Sequence, residues 1–247
     1  MRNVAPSRAL VRRSYRLLEI AVVVVAIGIF LGMVGLALLV VPLIGPGSSA
    51  RSTYDLLVSI LLILGVGTGL TGLGMAFRAV TWKIENDLAK QIGNLLAQHL
   101  DERYIFVRNI RKRDLGYIDA VLIGPAGVLV LHVVDYEGAF LNEAGKWLKQ
   151  DKKGKWQPMR SNPTRKVAAH VKDMRAYFAE RNLPEIPVFG IVVFSKDDPI
   201  AKLTLKDPIV PATHMSSLPI RLQEHYLAKE RIEMKAAVAI ERLLFDR

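Results

Sequence analysis

The chain contains no cysteine. Disulfides, thiolate nucleophiles and cysteine-bound zinc are therefore excluded, and a reducing compartment is compatible with the composition. Aromatic residues make up only 7% of the chain, and its five histidines are scattered without HExxH or HxH spacing. A paired-histidine zinc site of the protease type has no sequence support. No GxSxG, Walker A or Rossmann glycine pattern occurs in the polar part of the sequence. Gly65, Gly67 and Gly69 lie inside an apolar run and cannot cradle phosphates.

Charge is missing too, but only locally. Ile20–Val41 and Leu56–Phe77 are each 22 residues long without one Asp, Glu, Lys or Arg. A helix needs roughly 20 apolar residues to cross a hydrocarbon layer about 30 Å thick. Gly28 and Gly32, then Gly65 and Gly69, have the small-xxx-small spacing that lets membrane helices approach closely. Such faces can join the two spans or join copies of the chain; glycine-rich spans also produce the spacing by chance. The linker Pro42–Asp55 has only 14 residues, which makes a tight helical hairpin. Arg2, Arg8, Arg12, Arg13 and Arg16 precede the first span; Arg78, Lys83 and Lys90 follow the second; the linker holds Arg51 alone. The positive-inside rule then predicts a multi-pass protein of the cell membrane with both termini cytoplasmic. Tyr54 and Trp82 sit at span ends, where amphipathic rings settle. The competing reading is a cleaved signal peptide, with GSSA at 47–50 as a processing site. Against it, a charge-free run of 22 residues exceeds the roughly 7–15 of an h-region, and a second span follows.

The formal net charge is +11. Residues 1–80 hold seven basic and two acidic groups, leaving 27 and 21, a net of +6, for residues 81–247. Anionic lipid heads explain such an excess as well as nucleic acid does.

Beyond the spans, Trp82–Leu100 places Ile84, Leu88, Ile92, Leu95 and Leu96 at helical spacing. Tyr104–Ile110 reads as a strand. Tyr117–Ile123 and Val128–Val134 follow, joined by Gly124-Pro125-Ala126-Gly127 and hence antiparallel. Their near-continuous apolar content predicts cover on both faces. Gly138–Gln157 reads as short strands and turns, with Trp147 and Trp156 flanking the basic segment KKGK. Asn162 and Pro163 mark a helix start, as cap and first helical residue, and that helix runs to about Asn182. Pro187–Ser195 is a further buried strand. A short strand around Ile209 and a last helix over Tyr226–Phe245 complete the chain. The fold class expected is α/β: a two-helix transmembrane hairpin (about 20–41 and 56–77, within an N-terminal region 1–80), then α-β-β-β-α-β. The domain proper covers 81–200, and 201–247 completes it.

Ile118-Asp119-Ala120-Val121, Gly127-Val128-Leu129-Val130-Leu131, Tyr136-x-Gly138 and Asn162-Pro163 occur in that order. The set resembles the nuclease-related domain, NERD, a family allied to the PD-(D/E)xK restriction-endonuclease-like nucleases, over roughly residues 85–200. The resemblance implies a restriction-endonuclease-like fold and a site where carboxylates and a lysine hold a divalent metal and activate water. The departures fall on that site. His132 stands where the family has a strand Glu, Val134 where it has Lys, and Ala89 opposite a helix Glu; Asp119 is retained. The positions Asp119, His132 and Val134 thus read as a vestigial catalytic site. Glu85 substitutes only if the helix is shifted. Asp119 is the one residual metal ligand, and as a strand aspartate it reads also, and more simply, as bonded to a neighbouring turn. His132 reads as a satisfied core histidine or as a ligand better suited to transition metals than to magnesium.

The expectation is therefore a membrane-anchored cytoplasmic domain, catalytically inactive, that binds nucleic acid or protein. No cofactor is expected, with Mg²⁺ or another divalent metal required only by residual activity. One alternative is a working nuclease with a rearranged site built from Glu85, Asp119, Asp135 or Glu137, and Lys166. Another is a membrane-assembly protein that forms homo-oligomers through its glycine faces. Partners named by these readings are the lipid bilayer, DNA or RNA, another protein, or a second copy. For nucleic acid the candidate contacts are Lys152, Lys153, Lys155 and Trp156, with Arg165 and Lys166 on the helix. The same residues also read as a solvated hairpin tip and a basic helix face.

Overall fold

A computed structural model describes residues 1–5, 9–45, 47–183 and 185–245, with the backbone alone described for 9–14 and 82–86. The elements are β1 (Arg2–Val4), α1 (Ala9–Val40), α2 (Arg51–Ala97), β2 (Ile105–Lys112), β3 (Gly116–Gly124), β4 (Gly127–Val134), β5 (Gly138–Glu143), β6 (Lys146–Gln150) and β7 (Trp156–Pro158). They continue with α3 (Pro163–Ala179), β8 (Val188–Phe194), β9 (Ala201–Lys206), β10 (Ala212–His214), α4 (Leu218–His225) and α5 (Met234–Phe245). The chain divides into two compact units, Ala9–Ile84 and Met1–Arg8 with Glu85–Arg247.

In the first unit, Tyr15–Val40 and Arg51–Thr81 are helical stretches long and apolar enough to cross a membrane. Val22, Phe30, Met33, Leu64 and Phe77 on them are exposed, unlike the large apolar side chains of a soluble core helix. The glycines set how the two helices pack. A Cβ at Gly28 would lie 2.5 Å from the Gly69 nitrogen, and one at Gly65 would lie 2.6 Å from that of Gly32. These faces therefore meet each other within one chain. Tyr54 ties the linker down: its hydroxyl donates to the Leu38 carbonyl at 2.6 Å and accepts from the Leu43 N–H at 3.3 Å. The helix expected over Trp82–Leu100 is continuous with the second span, since α2 runs unbroken from Arg51 to Ala97 without a proline. The Trp82 side chain lies outside the described residues.

The second unit is built on a six-stranded sheet of order β1-β2-β3-β4-β8-β10. β2, β3 and β4 are antiparallel neighbours, while β8 lies parallel to β4 and is reached through α3. Ile105, Val121, Val128 and Val130 pack on one face against Met174 and Phe178 of α3 and Ile240 of α5. Phe106, Leu122, Leu129 and Leu131 pack on the other against Ile92 and Leu96 of α2 and Leu222 of α4. The central strands are thus covered on both sides, which is why their sequences lack polar alternation.

Three expectations change. Residues Arg2–Val4 are not a tail preceding the spans: they form the edge strand beside β2, in parallel register from Arg2↔Ile105 to Val4↔Val107. The Arg2 N–H donates to the Tyr104 carbonyl at 3.0 Å, and the α-amino group donates to the Leu100 carbonyl at 3.0 Å. Three residues are too few to show a period of two. Ile209 is no strand; it is 71% exposed between Pro208 and Pro211, and the strands flank it as β9 and β10. β9 instead pairs with β5 in a second, four-stranded sheet of order β7-β6-β5-β9. The last helix begins at Met234 rather than Tyr226, and a separate helix, α4, precedes it. The chain between them is held by Pro125, whose carbonyl accepts the N–H groups of Arg231 at 2.7 Å and Ile232 at 3.0 Å.

Over-packing the glycine seam is expected to cost about 1–3 kcal/mol per site. Gly28→Leu and Gly65→Leu should each lower the thermal midpoint of the detergent-solubilised full chain. Gly67→Leu, where a Cβ meets nothing within 4 Å, should leave it unchanged.

Candidate functional site

The register of β3 on β4 runs from Gly124↔Gly127 to Ala120↔Leu131. One step further brings Asp119 opposite His132, and directly opposed residues on antiparallel strands share a face. The two side chains are hydrogen-bonded, His132 Nδ1 to Asp119 Oδ2 at 2.6 Å. The same oxygen accepts the Val133 N–H at 2.9 Å. A carboxylate oxygen accepts in such a pair, with Nδ1 of the imidazole as the donor. Asp119 is 8% exposed and His132 is 7% exposed. A carboxylate in this setting is satisfied by an N–H pair and has one oxygen already committed.

A second histidine, which the sequence reading passed over, belongs to the same neighbourhood. His170 lies on α3, one helical turn after Lys166 and within electrostatic range of Asp119, His132 and Asp173. Both its ring nitrogens are buried and have no hydrogen-bond partner. Burial chiefly, then the Lys166 ammonium, holds its pKa below the ordinary 6.5. The signal was present in the sequence as an i, i+4 Lys–His pair on a helix whose start was legible. Asn162 caps that helix by accepting the Arg165 N–H at 3.0 Å, with Pro163 at the first position.

Val134 is 3% exposed among Phe140, Trp147, Val167 and Phe194. The Tyr136, Phe140 and Phe194 rings fill the end of this cluster, with Phe140 and Phe194 centroids 5.5 Å apart. Asp135 and Glu137 turn elsewhere. The Ser195 hydroxyl donates to Asp135 at 2.5 Å, and Lys196 pairs with Asp135 at 3.6 Å and with Glu137. Ala89 is fully buried on α2, and the Glu85 side chain lies outside the described residues.

These residues do not fit magnesium. That ion demands near-octahedral oxygen ligation, whereas Asp119 offers one uncommitted oxygen beside an imidazole. Among the described residues no group of three His, Cys, Asp or Glu is placed to hold a metal ion.

The basic candidates lie on two elements. Lys152, Lys153 and Lys155 occupy the exposed tip between β6 and β7, with Trp156, 37% exposed, beginning β7. Asp151 shapes the tip, accepting the N–H groups of Lys153 at 2.8 Å and Lys155 at 2.9 Å. Trp147 is instead a core residue that donates to the Thr164 hydroxyl at 2.9 Å. Arg165 and Lys166 are exposed in the first turns of α3.

Residues 84–195 match the model of a protein family described as the nuclease-related domain, NERD. The matched span runs from the C-terminal part of α2 through β8 and includes Asp119, His132, Val134, Lys166 and His170. No curated protein and no solved structure matches the chain.

Two outcomes follow from this geometry. The unfolded chain binds a proton at His170 more readily than the folded one, so stability should fall as pH drops below about 6.5 and be unaffected by this group above it. His170→Leu removes two orphaned nitrogens and should flatten that acid loss while matching or raising stability at neutral pH, as read by denaturant midpoints. Val134→Lys buries an ammonium among aromatic and aliphatic groups. It should destabilise the chain by on the order of 3 kcal/mol, seen as a lowered thermal midpoint.

Proposed function

We propose that the nuclease-related domain formed by residues 84–195 is displayed at a membrane as a nucleic-acid-binding module and does not hydrolyse phosphodiesters through a metal. The observation that carries this reading is the buried Asp119–His132 hydrogen bond. It turns the retained carboxylate toward an imidazole, leaving a divalent ion without the second carboxylate it requires. Val134 supplies neither charge nor donor for the attacking water. An electrostatic stabiliser of this kind contributes about 3–4 kcal/mol in comparable sites.

The binding half of the proposal rests on surface chemistry. Lys152, Lys153 and Lys155 set three ammonium groups around a hairpin tip next to the exposed Trp156 ring. Ammonium groups follow a phosphate backbone, and an exposed ring stacks a base for about 1–3 kcal/mol. Arg165 and Lys166 add charge on α3. Of the residues of the alternative hydrolase, Lys166 and Asp119 both lie within electrostatic range of His170, and that common neighbourhood is what favours it as a second reading.

The membrane half rests on two long helices whose exposed surface is apolar. β1 supplies a topological argument. It precedes both spans yet pairs with β2, which follows them, so the N-terminal residues and the domain share one side of any membrane the spans cross. The arginines before the first span make that side the cytoplasm. The order of the last part of α2, β2, β3, β4, α3 and β8 supports a restriction-endonuclease-like core.

The test uses the full chain in phosphatidylcholine nanodiscs with end-labelled single-stranded DNA and RNA, and with magnesium, manganese or zinc. Expected is no cleavage beyond that of Asp119→Ala, together with binding that weakens steeply as salt rises. Replacing Lys152, Lys153 and Lys155 with Glu should lower that affinity by about tenfold or more. Metal-dependent cleavage abolished by Asp119→Ala would establish the hydrolase instead, and absence of binding would remove nucleic acid as the ligand.

A further inference from the structure

Away from Asp119, the six-stranded sheet is left unfinished along one edge. β10 has only three residues and pairs with Val192–Phe194, the second half of β8. Along the first half, the chain entering β10 carries Pro208 and Pro211, which have no N–H to offer a neighbouring strand. The Pro211 carbonyl accepts the Val192 N–H at 2.9 Å, and Arg175 donates to the Val188 carbonyl at 2.7 Å. Between these two points the edge of β8 at Gly190 has no strand beside it among the described residues. α3 lies close over this part of β8, because a side chain at Gly190 would collide with Val167 and Val171.

The space left is a cavity of about 840 Å³ between α3, β8, the 208–211 loop and α4. That volume is typical of a site for one small organic ligand. Its walls are apolar, with Val171 from α3, Phe189 and Ile191 from β8, Ile209 from the loop and Leu222 from α4. Every charged or titratable lining residue apart from Tyr226 is basic: Lys172, Arg175, Arg221 and His225. Among the described residues no aspartate or glutamate lines it. Lys172 and Arg221 are exposed and have no side-chain ion pair or hydrogen bond among the described residues. His225 approaches Glu224 at 3.7 Å, and Arg175 is engaged with the Val188 carbonyl.

We infer that this cavity binds a single-chain anionic amphiphile, its apolar chain along β8 and its carboxylate or phosphate head between Lys172 and Arg221. Apolar walls take the chain out of water, and cations without acidic neighbours select the sign of the head group. A neutral ester or a cationic amphiphile satisfies the walls and fails at the rim. The inference is independent of the nucleic-acid reading, since it uses neither the hairpin tip nor Asp119.

The test is photolabelling of the full chain in phosphatidylcholine nanodiscs with a diazirine-bearing palmitate, mapped by peptide mass spectrometry. A diazirine lysophosphatidic acid in a parallel arm distinguishes a free fatty acid from a lysophospholipid as source. Label is expected on β8, the 208–211 loop or α4, competed by palmitate and not by methyl palmitate. The double variant Lys172→Glu with Arg221→Glu should cut that label about tenfold. Ala168→Trp, which fills the space from an exposed helix position, should do the same without charge reversal. Label at these segments that methyl palmitate competes equally, or that both variants leave intact, would overturn the inference. Label confined to the two apolar helices would do so too.

Discussion

A hydrogen bond of 2.6 Å between His132 and Asp119 governs what the centre of this domain can do. It exists because β3 and β4 pair in a register that places the two residues face to face on adjacent strands. With both groups largely buried, neither side chain has a cheap alternative: a lone carboxylate or imidazole in that position would lose its partner without regaining water. The pair therefore acts as a structural clasp across the two strands. The same arrangement commits one carboxylate oxygen of Asp119 to the imidazole and to the Val133 N–H.

The apolar cluster around Val134 constrains the end of β4 in a similar way. An ammonium at the end of β4 would stand against Phe140, Trp147 and Phe194, in surroundings that favour its neutral form. The aromatic packing and the valine are thus mutually consistent, and the second sheet, which contributes Phe140 and Trp147, closes over the position. The basic residues Lys152, Lys153 and Lys155 lie outside this cluster on the β6–β7 tip, as do Arg165 and Lys166 in the first turns of α3.

Much of this order was legible in the chain itself. β2, β3, β4 and β8 are runs of five or more largely apolar residues, bounded by turn residues, and α3 announces itself through Asn162 and Pro163. The elements that escaped are short or set by distant partners. β1 has three residues and finds its partner about a hundred positions away. β9 is a strand by virtue of β5, to which it is parallel. The gap between α4 and α5 is fixed by the Pro125 carbonyl, far upstream. His170 escaped for a different reason: a histidine on a helix carries no local mark of what faces it.

Composition and local pattern, then, determined the two apolar helices and the central strands. These are properties of neighbouring residues, and hydrophobic length or turn chemistry reports them directly. Only tertiary structure decided that the glycine faces of the two helices meet each other, that the first residues enter the sheet beside β2, and that Asp119 gives one oxygen to His132. Each of those depends on which groups are brought together across the fold. Contacts between residues far apart in sequence leave no periodicity in either segment alone.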